Sequence, residues 1–134
     1  MRTVADNGVV DWRRLREFAD VDLEASFVLS WSYESGTLYI DVDVLLMPEH
    51  AFYEKPRPKE KVCIRPAIIE FPLCEAVIVE GVHAGEDNAA TVDKLGHGVF
   101  SDLRLLSDGC YEISGAFGVV RIEAERPLLR LKSP

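Results

Sequence analysis

The chain has 134 residues, 48% hydrophobic and 28% charged, with a formal net charge of -8 from 23 acidic and 15 basic side chains. That balance fits a single globular domain over residues 1–134 and excludes a largely disordered chain. The acidic excess opposes phosphate backbones and anionic lipid, so neither nucleic acid nor a membrane is an expected partner.

The first 18 residues hold no continuous apolar run, so no signal peptide is expected. No window approaches the ~20 apolar residues of a membrane span. Cys63, Cys74 and Cys110 are odd in number and form no CxxC pair. They read as reduced thiols rather than a disulfide framework or zinc knuckle, which points to a cytoplasmic location.

Taken in chain order, the first expected element is a short helix over residues 11–19. Asp11 is suited to cap it, and Trp12, Leu15, Phe18 and Ala19 share one side. Arg13, Arg14 and Arg16 are the densest basic group, and the acids around them make a solvated face the simpler reading.

Residues 25–33 and 38–46 then alternate. Ala25, Phe27, Leu29, Trp31 and Tyr33 share one parity, with Val28 the exception; Leu38, Ile40, Val42, Val44 and Leu46 share another. A two-residue turn at Ser35 and Gly36 sets Tyr33 against Leu38, Trp31 against Ile40, Leu29 against Val42 and Phe27 against Val44, apolar with apolar throughout.

Residues 47–61, with Pro48, Pro56 and Pro58, form a long polar loop. A third strand is expected over 62–71, with a bulge or edge position at Pro66 where the apolar parity switches. Residues 76–82 are apolar on both parities and read as a strand buried on both faces. Residues 83–90 read as a polar loop. The last third reads as a meander: 99–106, a loop at Ser107, Asp108 and Gly109, then 110–117. This arrangement pairs Leu105 with Tyr111 and Leu103 with Ile113. Val120, Ile122 and Ala124 continue the alternation, and Leu129 and Leu131 suggest a last short strand. The fold expected is mainly β: an antiparallel β-sandwich or curled open barrel of about seven to nine strands with one short N-terminal helix.

Little in the chain signals catalysis. His50, His83 and His97 sit in or beside loops and show no ligand spacing, so no metal site is expected. Asp41 and Asp43 project from one strand face, where two acids can chelate a cation or act as an acid and base. The plain solvent face of a half-buried strand explains them as well. Glu70 joins them only if its strand is adjacent. No GxSxG is present, no cysteine carries a nucleophile signature, and the glycines at 96–98 and 115–118 do not open a helix after a strand.

These readings give no expected catalytic residue and no cofactor, and the balance is against an enzyme. The expected function is that of a small acidic binding protein acting on another protein, of a regulatory or immunity type. The candidate contact residues are Tyr39, Asp41, Asp43, His50, Tyr53 and Arg57, the exposed tyrosines near His50, Phe52 and Arg57 serving as anchors, unless Phe52 and Tyr53 merely tack the loop onto the sheet. A small-ligand-binding or enzymatic barrel and a structural subunit of a homo-oligomer are the alternatives.

Overall fold

Strict alternation on one strand and a turn that accepts two positive φ angles together define the central hairpin. In the computed structural model, which describes residues 9–56, 58–59, 61–80 and 87–132, this hairpin is β2 (Val21–Glu34) with β3 (Thr37–Leu46). Ser35 and Gly36 have φ of +50° and +79°. This is a type I′ pattern, whose twist matches the strands it joins. Tyr33 faces Leu38 and Trp31 faces Ile40, as expected. On β3 the parity is unbroken, and Leu38, Ile40, Val42, Val44 and Leu46 are all buried.

β2 departs from its pattern. Ser30 faces Asp41 while Val28 faces Val42, so Leu29 is an extra, bulged residue. A bulge of one residue inverts the parity beyond it. Val28, the apparent exception, is therefore fully buried, while Phe27 and Leu29 are 36% and 43% exposed and Ala25 also faces out. The pairs Leu29 with Val42 and Phe27 with Val44 do not form. A second irregularity lies between Asp22 and Phe27. There the buried Ser26 hydroxyl donates to the Asp22 carbonyl (2.7 Å) and accepts from the Leu45 N–H (3.1 Å). The side chain supplies the bonds that the ladder omits.

β4 (Cys63–Phe71) pairs with β3 from Leu46–Cys63 to Leu38–Phe71 without a break. No bulge falls at Pro66. The inward parity is Cys63, Ala67, Ile69 and Phe71, and Val62 and Ile64, which suggested a phase switch, are exposed. Pro66 is tolerated because its side of β4 faces β9 (Leu128–Leu131) where that strand ends. Its carbonyl accepts from the Lys132 N–H, and its missing N–H falls at the end of the ladder. β5 (Ala76–Val79) is a short edge strand with Val77 inward and Ile78 exposed, not a strand buried on both faces. Val82 and His83 lie outside the described residues.

β6 (Gly98–Ser107), β7 (Cys110–Gly115) and β8 (Gly118–Glu123) form the expected meander, with Leu103 facing Ile113 and Leu105 facing Tyr111. Gly109 has φ +74°, and the bulge that accompanies the turn is at Leu106. The second apolar run ends at Gly115, because Ala116 and Phe117 form the turn into β8.

Two elements differ in kind from the expectation. Residues 11–19 form no α-helix: β1 (Val10–Asp11) pairs with β6 and leads into two 3-10 turns, Trp12–Arg14 and Arg16–Phe18, with Leu15 extended between them. Asp11 caps the first through the Arg13 N–H. Trp12, Leu15 and Phe18 are all buried, and their spacing of three is the period of a 3-10 turn. Ala19, a fourth member only at α-helical spacing, is exposed. Conversely, residues at the end of the expected 83–90 loop begin α1 (Asn88–Asp93), capped by the Asp87 carboxylate.

The nine described strands form one open antiparallel sheet in the order β5-β8-β7-β6-β2-β3-β4-β9, with β1 beside β6. Its two halves meet where Phe27 and Val28 of β2 pair with Val99 and Gly98 of β6. The sheet curls about this seam, so β4 lies over β7, with Phe71 and Tyr111 edge to face at 5.2 Å. One cluster of buried side chains from both halves and the 3-10 turns fills the interior.

Replacing Ser26 by Ala is expected to lower stability by about 1–3 kcal/mol, because it leaves the Leu45 N–H buried without an acceptor. Urea unfolding followed by tryptophan fluorescence measures the loss; an unchanged midpoint would show that the ladder closes without the hydroxyl.

Candidate binding edge and its cleft

An open sheet has two edges, and here they are treated differently. In β5 the Val77 N–H points away from β8, and the Asn88 side-chain oxygen at the start of α1 accepts it at 3.1 Å. The same amide donates to the Glu75 carbonyl and to the Tyr33 hydroxyl, which itself donates to the Cys74 carbonyl at 2.8 Å. A side chain thus occupies the place of a neighbouring strand.

The β9 edge has no such cover among the described residues. Lys132 donates its N–H to Pro66, so by alternation Leu128 and Arg130 also direct their backbone groups at β4. Leu129 and Leu131 therefore present N–H and C=O groups outward. Beside them runs a cleft of about 700 Å³, walled by residues 51–54 on one side and 129–132 on the other, with Arg65 between.

The long loop forms its wall by short-range bonds. His50 donates its N–H to the Met47 carbonyl and Tyr53 to that of His50, while the Phe52 N–H donates to His50 Nδ1 at 3.1 Å. Tyr53 packs against the core, and Phe52 remains 60% exposed at the cleft. Arg65 donates from Nη1 to the Phe52 carbonyl (3.3 Å) and lies 3.5 Å from a Glu54 oxygen. These contacts tie the loop to β4.

The six expected contact residues divide over this region. Tyr53 lines the cleft and His50 buttresses its wall. Tyr39, Asp41 and Asp43 are half-buried on the outer face of β3. Asp41 is bound by Lys132 Nζ at 2.6 Å and by the Ser30 hydroxyl at 3.1 Å, which joins it to the far wall of the cleft. Asp43 makes no ion pair with a described residue. Arg57 lies outside the described residues. Glu70 does lie on the adjacent strand, opposite Tyr39, but it binds Arg130. The acids of this face alternate with cations instead of converging, and no group of three His, Cys, Asp or Glu among the described residues could hold a metal ion.

Arg65, Leu129, Arg130, Leu131 and Lys132 were not singled out by residue type. The available signal was the concentration of cations in two stretches of an acidic chain. A carboxylate pair also escaped notice. Burial and contact with Asp11 raise the Asp102 carboxyl; burial also opposes ionisation of Asp11, but its bonds with Arg13 outweigh that and lower it. Neither lines the cleft beside β9. Burial pushes the Cys74 thiol up to about 11, which leaves it a poor nucleophile at neutral pH. It lines a second cleft, of about 510 Å³, between the hairpin tips, with Glu75, Asp108, Glu123 and Glu125.

No described helix is long and apolar enough to cross a membrane. No family model, curated protein or solved structure matches the chain.

Replacing both Asp41 and Asp43 by Asn is expected to leave folding intact, with a loss below about 1 kcal/mol, because the one ion pair broken is open to solvent. Thermal unfolding checks this; a large drop would give these acids a structural role. The approach to β9 responds to pH. Arg126 grips Glu17 through two bonds, of 2.6 and 2.8 Å. Burial alone would raise the Glu17 carboxyl, but the guanidinium outweighs it and lowers it below its ordinary 4.5. A lowered folded-state value contributes stability above the unfolded value, and that contribution disappears as pH falls through the folded one. Arg126→Gln is therefore expected to cost about 1 kcal/mol at neutral pH. The deficit should close under acid, below 4.5, in urea titrations at a series of pH values. A deficit independent of pH would contradict this assignment.

Proposed function

We propose that the protein is a small non-catalytic binding module that takes an extended segment of another protein at the β9 edge. The observation that carries this reading is the contrast between the two sheet edges. β5 is closed by Asn88, whereas Leu129 and Leu131 offer backbone groups that no described residue pairs, beside a cleft with an exposed phenylalanine. Strand addition supplies affinity through backbone bonds and selectivity through alternate side chains. A four-residue edge accommodates a short segment and little more, which suits a regulatory contact.

An immunity-type role against a basic protein would use a different surface, the acid-lined cleft at the hairpin tips. Nothing there favours it over the β9 edge.

Leu131→Pro separates these surfaces. It removes a donor that no described residue uses and leaves the bonds to β4 in place. In capture experiments from native lysate, the wild-type chain is expected to retain a partner that Leu131→Pro retains at least tenfold less, with near-ultraviolet circular dichroism unchanged. Equal retention by a folded Leu131→Pro chain would remove β9 as the binding edge.

A further inference from the structure

We infer that the β9 edge takes an acidic strand, with Asp or Glu at alternate positions and apolar residues between them. This rests on β9 being the binding edge and specifies its partner. The first support is charge. Residues 55–65 contain Lys55, Arg57, Lys59, Lys61 and Arg65 against the single acid Glu60, and residues 126–132 contain Arg126, Arg130 and Lys132 with no acid. Eight of the 15 cations of a chain at -8 therefore fall in these two tracts. Of the first tract, the fold sets Arg65 in the cleft, between the wall of residues 51–54 and the wall of residues 129–132. Lys55, Lys59 and Lys61 are exposed and make no ion pair with a described residue.

The second support is periodicity. Arg130 and Lys132 stand on the outer face, bound to Glu70 and Asp41 but with side chains 63% and 42% exposed. A guanidinium has five donors and an ammonium three, so each can take a second carboxylate. Leu129 and Leu131 have the opposite parity and turn inward. On an added strand, directly opposed side chains lie about 4.5–5.5 Å apart. Acids would meet Arg130 and Lys132, and the residues between would lie beside the two leucines, toward Phe52.

A second copy of β9 fits poorly. Two-fold antiparallel pairing that joins the outward N–H groups sets Arg130 against Arg130, Arg130 against Lys132, or Lys132 against Arg126, depending on register. Each places like charges opposite one another. A polyanion such as nucleic acid would satisfy the cations but not the outward N–H and C=O groups of Leu129 and Leu131.

The test is a random nine-residue phage-displayed library panned on the full chain, with depletion on Leu131→Pro. Enriched peptides are expected to carry Asp or Glu on alternate positions at least threefold above the input. The best synthetic peptide should shift the amide resonances of Leu129 and Leu131, which locates binding without reliance on the proline variant. It should bind at least tenfold more weakly to the Arg130→Gln, Lys132→Gln chain. Edge-dependent peptides without alternating acids would overturn the inference and leave the edge reading standing. Recovery of no peptide that shifts those amides would overturn both. Equal competition by a single-stranded oligonucleotide of the same charge would make this a general anion site. Concentration-dependent dimerisation, abolished by Leu131→Pro in light scattering, would make the occupant a second copy. Either result would also sink the inference.

Discussion

Everything in this structure depends on the bending of β2. That strand is 14 residues long and stays paired with β3 over most of its length, yet it joins β6 only at Phe27 and Val28. A regular strand of this length would hold the two halves of the sheet nearly coplanar and leave one face of each in water. The bulge at Leu29 and the irregularity bridged by Ser26 let it turn between them, as bulges do wherever sheets curl. Gly98 completes the seam. Its φ is +140°, and a Cβ there would lie 2.5 Å from that of Ala116. The curl brings Phe71 against Tyr111 and Trp31 against Phe117. The core exists because the sheet closes over itself, not because a helix covers it.

Curling without closing leaves edges, and an exposed edge is a standing invitation to pair. The Asn88 carboxamide closes β5 by bonding to β5, to the turn before it and to Tyr33 at once. No described side chain caps β9 in the same way. Its protection against indiscriminate pairing is its shortness and its charge, since the cations at 130 and 132 repel any strand that carries the same sign. On the proposed reading, the same two features would also restrict what binds there.

The sequence showed most of the ladder and concealed the bend. The turns at Ser35–Gly36 and Asp108–Gly109 and the registers beside them followed from glycine placement and alternation. The β3 pattern was fully legible because β4 pairs along it without a break and the bulge at Leu29 lies on β2. β2 misled because alternation is a local signal, whereas a bulge is imposed by two sheets pulling one strand apart. Val28, which broke the pattern, marked the true interior parity. Pro66 misled in the opposite sense: a proline within a strand suggests an irregular ladder, but here the neighbour simply ends. Residues 11–19 carried the right apolar side chains at a spacing that fits both a 3-10 and an α-helical turn, and docking on the core decided between them.

The edge was invisible for a different reason. Leu129 and Leu131 look like any short strand, and only strand order reveals that no described strand pairs with one side of them. Charge was visible but misleading when averaged over the chain. A net of -8 argues against anionic partners, yet an interaction samples the field within about a Debye length, roughly 8–10 Å, and not the whole surface. Beside β9, Arg65, Arg130 and Lys132 are each held by a carboxylate, of Glu54, Glu70 and Asp41, and keep donors to spare. Acidic surface elsewhere raises solubility and discourages like molecules from approaching, while on the proposed reading the local cations would draw an opposite charge into register. Backbone pairing alone would accept any extended chain, so discrimination at such an edge has to come from side chains at every second position. In β9 those positions are the leucines on one face and the cations on the other. Attraction carried by exposed cations also weakens with added salt, whereas the backbone bonds do not, so selectivity at this edge would be greatest at low ionic strength.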